Sequence, residues 1–178
     1  MTPTDIISLD SLEYIPYIDE KGMILETSPS KIGVYAIFDQ NKDLKFVGYS
    51  RDIYLSLKQH LVRQPQQCYW LKIHTITRPN RTQLEQICAY WIEENGKIPA
   101  GNDEDKKNWT DPIDAKVTMT ETEKKDYEQS DELGKIKLLK KISRRVEEDL
   151  LLQLKSRNIQ MEIRFNPKLK EQGLLDLK

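Results

Sequence analysis

Two short runs of strand-forming residues on either side of a polar loop constrain this chain more than any other feature. Gly33–Phe38 (GVYAIF) is apolar, Asp39–Asp43 (DQNKD) is polar, and Leu44–Val47 (LKFV) resumes the apolar pattern up to Gly48. Such a pair around a five-residue polar loop predicts a β-hairpin. Ser50 follows where a helix N-cap belongs, its hydroxyl able to accept an amide of the first turn. Ile53, Leu57 and Leu61 then recur at every fourth position and make one buried helical face, which Pro65 ends. Tyr69–Ile76 (YWLKIHTI) alternates loosely, as a third strand does. Asn80 or Thr82 caps a second helix whose apolar face is Leu84, Ile87, Cys88, Trp91 and Ile92, closed by Asn95-Gly96 with Pro99 beyond. Residues 33–95 therefore read β-β-α-β-α. The fold class is α+β, with a small three-stranded antiparallel sheet flanked by helices.

The 178 residues suit one domain, or one domain with an appendage. An apolar fraction of 38% is lowish for a single globule, which predicts exposed helical or loop segments. With 7 Gly, 8 Pro, 3 Trp, 8 Tyr and 3 Phe, collagen-like, mucin-like and wholly disordered classes are excluded. No stretch approaches the roughly 18 apolar residues of a membrane helix. Met1–Leu9 has neither the basic nor the apolar region of a signal peptide. Cys68 and Cys88 read as two buried free thiols in a reducing, cytoplasmic setting. Pooled with His60 and His74 they match no zinc-ligand spacing.

The formal net charge of −1 hides blocks: −5 over residues 1–30, +4 over 31–102, −6 over 103–132 and +6 over 133–178. The blocks divide the chain into an N-terminal segment packed on the core (1–30), a central domain (31–102), and an acidic linker with a helical, basic C-terminal extension (103–178). In that extension Thr120–Tyr127 and Leu133–Leu154 look helical, the latter with a stripe of Ile136, Leu139, Ile142, Val146, Leu150 and Leu154. Met161–Phe165 alternates as a short strand, and Leu169–Leu177 is a last helix or an apolar hook. Lys135, Lys137, Lys140, Lys141, Arg144 and Arg145 put six cations into eleven residues. They are candidate nucleic-acid-binding residues, each phosphate contact adding salt-dependent affinity. The alternative is a solvated helix face paired with Glu147, Glu148 and Asp149. Tyr49, Tyr54, Tyr69 and Trp70 could stack on bases or pack in the core.

The central residues carry a resemblance. Gly33-Val34-Tyr35, ten residues, then Phe46-Val47-Gly48 is similar to the paired strands of the GIY-YIG endonuclease superfamily. The segment Ser50–His60 (SRDIYLSLKQH), Leu84-Glu85 and the stretch Pro99–Asn102 resemble the later motifs of that family, so the likeness spans about residues 31–102. It implies phosphodiester hydrolysis. Tyr35 would be the general base and His60 part of the catalytic group. Glu85 would be the ligand of Mg²⁺ or Mn²⁺, a metal expected only if the chain is an active nuclease. Two positions depart from the pattern: Phe46 lacks a tyrosine hydroxyl, and Ser56 stands where the family has its charge-stabilising arginine. Removing one such donor typically costs about 10²–10³ in rate. Of the nearby cations, Arg51 and Lys58 point elsewhere, while Arg63 lies two turns on along nearly the same helix face.

The resulting expectation is a nuclease-like pseudoenzyme that binds a protein or nucleic-acid partner, with no small-molecule cofactor. Two alternatives stand beside it: an active metal-dependent endonuclease with a remodelled site, and an assembly scaffold that binds through residues 103–178.

Overall fold

The computed structural model describes residues 6–24 and 31–178. It divides into two compact units, Met1–Thr110 and Asp111–Lys178.

In the first unit the hairpin forms where the apolar runs place it. Strand β2 (Ile32–Phe38) pairs antiparallel with β3 (Leu44–Ser50), Tyr35 opposite Gly48 and Ile37 opposite Phe46. Asp39 organises the turn: its carboxylate accepts the amides of Asn41 (2.9 Å) and Asp43 (3.0 Å), and Lys42 takes the left-handed conformation at φ 64°. Strand β4 (Trp70–Ile76) pairs with the other side of β2, so β2 is central and is buried from Gly33 to Phe38. A two-residue strand, β1 (Ile15–Pro16), adds to β4 and makes the sheet four-stranded, in the order β1-β4-β2-β3. The sequence pattern shows three strands because a two-residue strand is too short to have a periodicity.

Helix α1 (Ile53–Arg63) buries Ile53, Leu57 and Leu61 as their spacing requires. Its N-cap is Asp52 and not Ser50: Asp52 accepts the Leu55 amide at 3.1 Å, while Ser50, still in β3, accepts the Asp52 amide at 2.9 Å. Helix α2 (Arg81–Asn95) is capped by Asn80 and ends at Gly96, whose φ of 88° is the left-handed conformation glycine tolerates. The face of α2 that carries Leu84, Ile87 and Trp91 packs on Val34, Ala36, Phe38 and Val47, and this is the core of the unit. Residues 6–24 lie against the same elements. The Glu94 carboxylate accepts from Ser8, Leu9 and Asp10, and the Trp91 indole donates to the Ile7 carbonyl. Residues 1–5 and 25–30 of the N-terminal segment lie outside the described residues.

Residues 103–110, assigned from charge to a linker, continue the first unit. A 3-10 turn (Ala100–Asn102) leads to helix α3 (Lys106–Thr110), and Trp109 is fully buried. The Asn102 amide pairs with the Val47 backbone in both directions, accepting its N–H (2.8 Å) and donating to its C=O (2.7 Å). It thereby satisfies part of the open edge of β3, which lies at the end of the sheet.

The second unit is built on α5 (Glu132–Ser156), which buries Leu139, Ile142, Leu150 and Leu154 along its apolar stripe. Helix α4 (Glu121–Gln129) precedes it, with Thr120 and Glu123 forming a capping box. Strand β5 (Ile113–Asp114) pairs with β6 (Leu174–Leu175), and α6 (Pro167–Lys170) lies between α5 and β6 in sequence. Met161–Phe165 is not a strand; Phe165 alone bridges to Leu177, so its alternation reflects single burial contacts and not a ladder. Among the described residues no helix is long and apolar enough to cross a membrane.

A candidate anion cleft at the edge of the sheet

A cleft of about 410 Å³ opens at the β3 edge. Strand β3 supplies Phe46 to Tyr49 as its floor. Helix α1 contributes Ser56, Gln59, His60 and Arg63, α2 contributes Cys88 and Ile92, and α3 contributes Lys106 and Thr110. Tyr35 reaches in from β2 across Gly48. A Cβ on Gly48 would lie 2.8 Å from the Tyr35 hydroxyl and 2.6 Å from the Phe46 ring, so glycine is what lets the phenol lie over the strand.

The Tyr35 hydroxyl is 2.8 Å from His60 Nε2. Both groups are buried, and burial dominates their chemistry. It pushes the Tyr35 phenol well above its ordinary range, with a Ser56 hydrogen bond and the Arg63 charge opposing only in part. It holds His60 down at about 3, helped by the neighbouring Arg63 charge. Tyr35 therefore stays protonated and His60 stays neutral at ordinary pH. Neither group is poised to take a proton from water, since a general base works best with a pKa near the operating pH. The Phe46 ring stacks on Trp109 at 5.4 Å with planes 2° apart and touches His60 at 4.6 Å, so this residue is a packing aromatic.

The sequence-derived site residues divide. The structure brings Tyr35, Ser56 and His60 into one cleft. Glu85 is exposed and outside the cleft lining, its carboxylate 2.7 Å from Arg81 Nε and 3.2 Å from the Tyr49 hydroxyl. The Arg81 hydrogen bond, then that of Tyr49, holds Glu85 below the usual carboxylate range. An incoming cation would have to displace an arginine. Among the described residues no three His, Cys, Asp or Glu side chains gather as a metal site would require.

The six basic residues of α5 also divide. Lys140 is 3.6 Å from Glu171, Arg145 is 2.9 Å from Glu123, and Lys135 approaches Glu132 at 4.0 Å and lies over the Tyr127 ring. Lys137, Lys141 and Arg144 remain as an exposed row one helical turn apart. Half of the cation run thus serves the internal packing of its own unit.

Three lining residues carry no signal in the sequence pattern: Gln59, Lys106 and Thr110. Arg63 lies seven residues beyond Ser56 on nearly the same helix face. In the structure it lines the same cleft as Ser56, and its Nη1 donates to the Trp109 carbonyl at 3.1 Å. The seven-residue spacing from Ser56 was the available signal for Arg63. Nothing local in the sequence brings Lys106 to this place.

Comparison with known proteins corrects the family assignment. No family model matches the chain. The chain is 36% identical over 99 residues to the bifunctional monothiol glutaredoxin-S16, chloroplastic, of Arabidopsis thaliana. That match takes in 53% of this chain and 32% of the relative, so the chain spans about a third of the relative's length. The relative's name is that of a glutaredoxin and does not mention an endonuclease. The superfamily read from the hairpin tripeptides, Ser50–His60, Leu84-Glu85 and Pro99–Asn102, and the nuclease-like, endonuclease and scaffold readings beside it, are therefore not carried forward. Tripeptides at a strand end are weak signals, because Gly and Tyr also stand there for steric reasons, as Gly48 does. The relative's printed name places it in the chloroplast, which lends nothing to the cytoplasmic expectation.

Proposed function

We propose that the β3-edge cleft is a binding site for a small oxyanion ligand. One observation carries this reading: among the described residues the lining holds two cationic side chains, Arg63 and Lys106, beside the hydroxyls of Tyr35, Ser56 and Thr110, and no carboxylate. A concave site with one sign of charge and low-dielectric walls concentrates counter-ions of the opposite sign. The volume lies within the range of small-molecule sites, about 300–1,000 Å³.

A thiol-redox role, suggested by the name of the relative, finds less support in the side chains. Cys88 lines the cleft, yet burial pushes its thiol up to about 12, with the Glu85 charge adding to the effect. Cys68 is fully buried and donates to the His60 carbonyl. Redox cysteines carry the opposite signature, a lowered pKa with solvent access.

Calorimetric titration with inorganic phosphate tests the proposal. Binding should weaken as salt rises and fall at least tenfold in Arg63→Gln. Absence of binding at low salt, or equal affinity in the variant, overturns the proposal.

A further inference from the structure

The walls of the cleft differ in kind. Helix α1 presents Ser56, Gln59 and Arg63, spaced by three and four residues so that they share a face, and α3 adds Lys106 and Thr110 at the same helical spacing. Helix α2 presents Cys88 and Ile92, again four apart, and β3 adds the apolar Phe46 and Val47. The lining thus combines a polar, cationic set from α1 and α3 with an apolar set from α2 and β3. Inorganic phosphate would use only the first.

We infer that the ligand is a phosphomonoester carrying a small apolar group. Its phosphate would lie along the Arg63–Lys106 wall and its apolar body against Cys88 and Ile92. This rests on the oxyanion reading of the same cleft and narrows it. The phosphate class follows from charge: a phosphomonoester carries about −1.5 to −2 near pH 7, which the two cations match better than they match a carboxylate. The apolar body follows from area. Removing apolar surface from water favours binding in rough proportion to the area covered, and an aryl or short alkyl group would cover the Cys88–Ile92 side that a bare anion leaves wet. The arrangement repeats the general anatomy of small-molecule sites, an apolar lining with a few placed polar groups.

The experiment compares inorganic phosphate with phenyl phosphate by calorimetric titration of the full chain, in the wild type, in Ile92→Asn and in Arg63→Gln. Phenyl phosphate should bind about tenfold more tightly than inorganic phosphate. Ile92→Asn should erase that advantage, and a far-ultraviolet circular dichroism spectrum and urea midpoint close to those of the wild type show that the variant is folded. Arg63→Gln should weaken both. Equal affinities for the two probes in the wild type, or an advantage that survives Ile92→Asn, would refute the apolar-body inference and leave the oxyanion reading standing. Failure of both probes to bind would remove the oxyanion reading itself.

Discussion

His60 offers a prediction whose size can be worked out before the experiment. The imidazole is 4% exposed, and burial together with the Arg63 charge holds its folded-state pKa near 3, against an ordinary value of 6.5. In the folded chain the ring is neutral down to about pH 3, whereas in the unfolded chain it takes up a proton below pH 6.5. Stability from this residue is fully present above pH 6.5. It declines as pH falls toward 3, because the unfolded state then binds the extra proton. The slope approaches about 1.4 kcal/mol per pH unit, which gives a loss of about 2 kcal/mol between pH 7 and pH 5. His60→Gln removes the titrating ring but keeps a polar partner for the Tyr35 hydroxyl. Urea denaturation at pH 7, 6 and 5, with a constant m-value as the check on two-state behaviour, reads the difference directly. The wild type should lose about 2 kcal/mol more than the variant over this interval. Parallel losses in the two proteins would mean that His60 titrates normally, and with it the neutral character assigned to the cleft floor would fall.

Other side chains make independent predictions. Asn102→Ala removes both hydrogen bonds to Val47 and leaves a partly buried strand edge unpaired, so it should cost roughly 1–3 kcal/mol in the same denaturation assay. An unchanged midpoint would show that water replaces the amide without loss. In the second unit the Arg145 hydrogen bond, followed by the Thr120 backbone amide, holds the Glu123 carboxyl down at about 2. Its contribution is present above its ordinary pKa of 4.5 and is lost as pH falls from there toward 2. Glu123→Gln should therefore flatten the acid limb of the unfolding profile below pH 4.5, and an acid limb identical to that of the wild type would count against this ion pair. The exposed Arg81–Glu85 pair lies on the open surface, so Glu85→Gln should leave the melting temperature of the chain unchanged, and a clear drop in a thermal melt would show that this pair matters to the fold.

Much of the architecture was open to reading from local pattern. The hairpin, α1, β4 and α2 sit where the apolar spacing and the Asn80 and Gly96 signals put them, because each is decided by a periodicity or a cap a few residues long. The features that were missed depend on distant residues. Strand β1 exists only because β4 offers it an edge. Asp52 takes the cap because Ser50 is still held in the sheet. Residues 103–110, acidic and polar in composition, join the first unit through one buried residue, Trp109, which a charge average over the segment conceals. The site was legible in part. Tyr35, Ser56 and His60 do share a cleft, but their roles depend on burial, which residue identity does not reveal. The hydroxyl and imidazole that suggest acid–base chemistry in sequence are held neutral by their surroundings. Glu85, which suggests a metal, is taken by Arg81, four residues earlier on the same helix face. Comparison with known proteins then removed the family built on these residues, while leaving the geometry of the cleft as it is.

The central claim is that Arg63 and Lys106 make the β3-edge cleft the anion site of this chain. A two-dimensional NMR titration with inorganic phosphate at low salt tests it most directly, with the Arg63 Nε resonance and the amides of Ser56, Gln59 and Lys106 followed together. Saturable shifts confined to those signals, and reversed by added chloride, are the predicted result. Silence at Arg63, with the shifts appearing instead at Lys137, Lys141 and Arg144 of α5, would contradict the account.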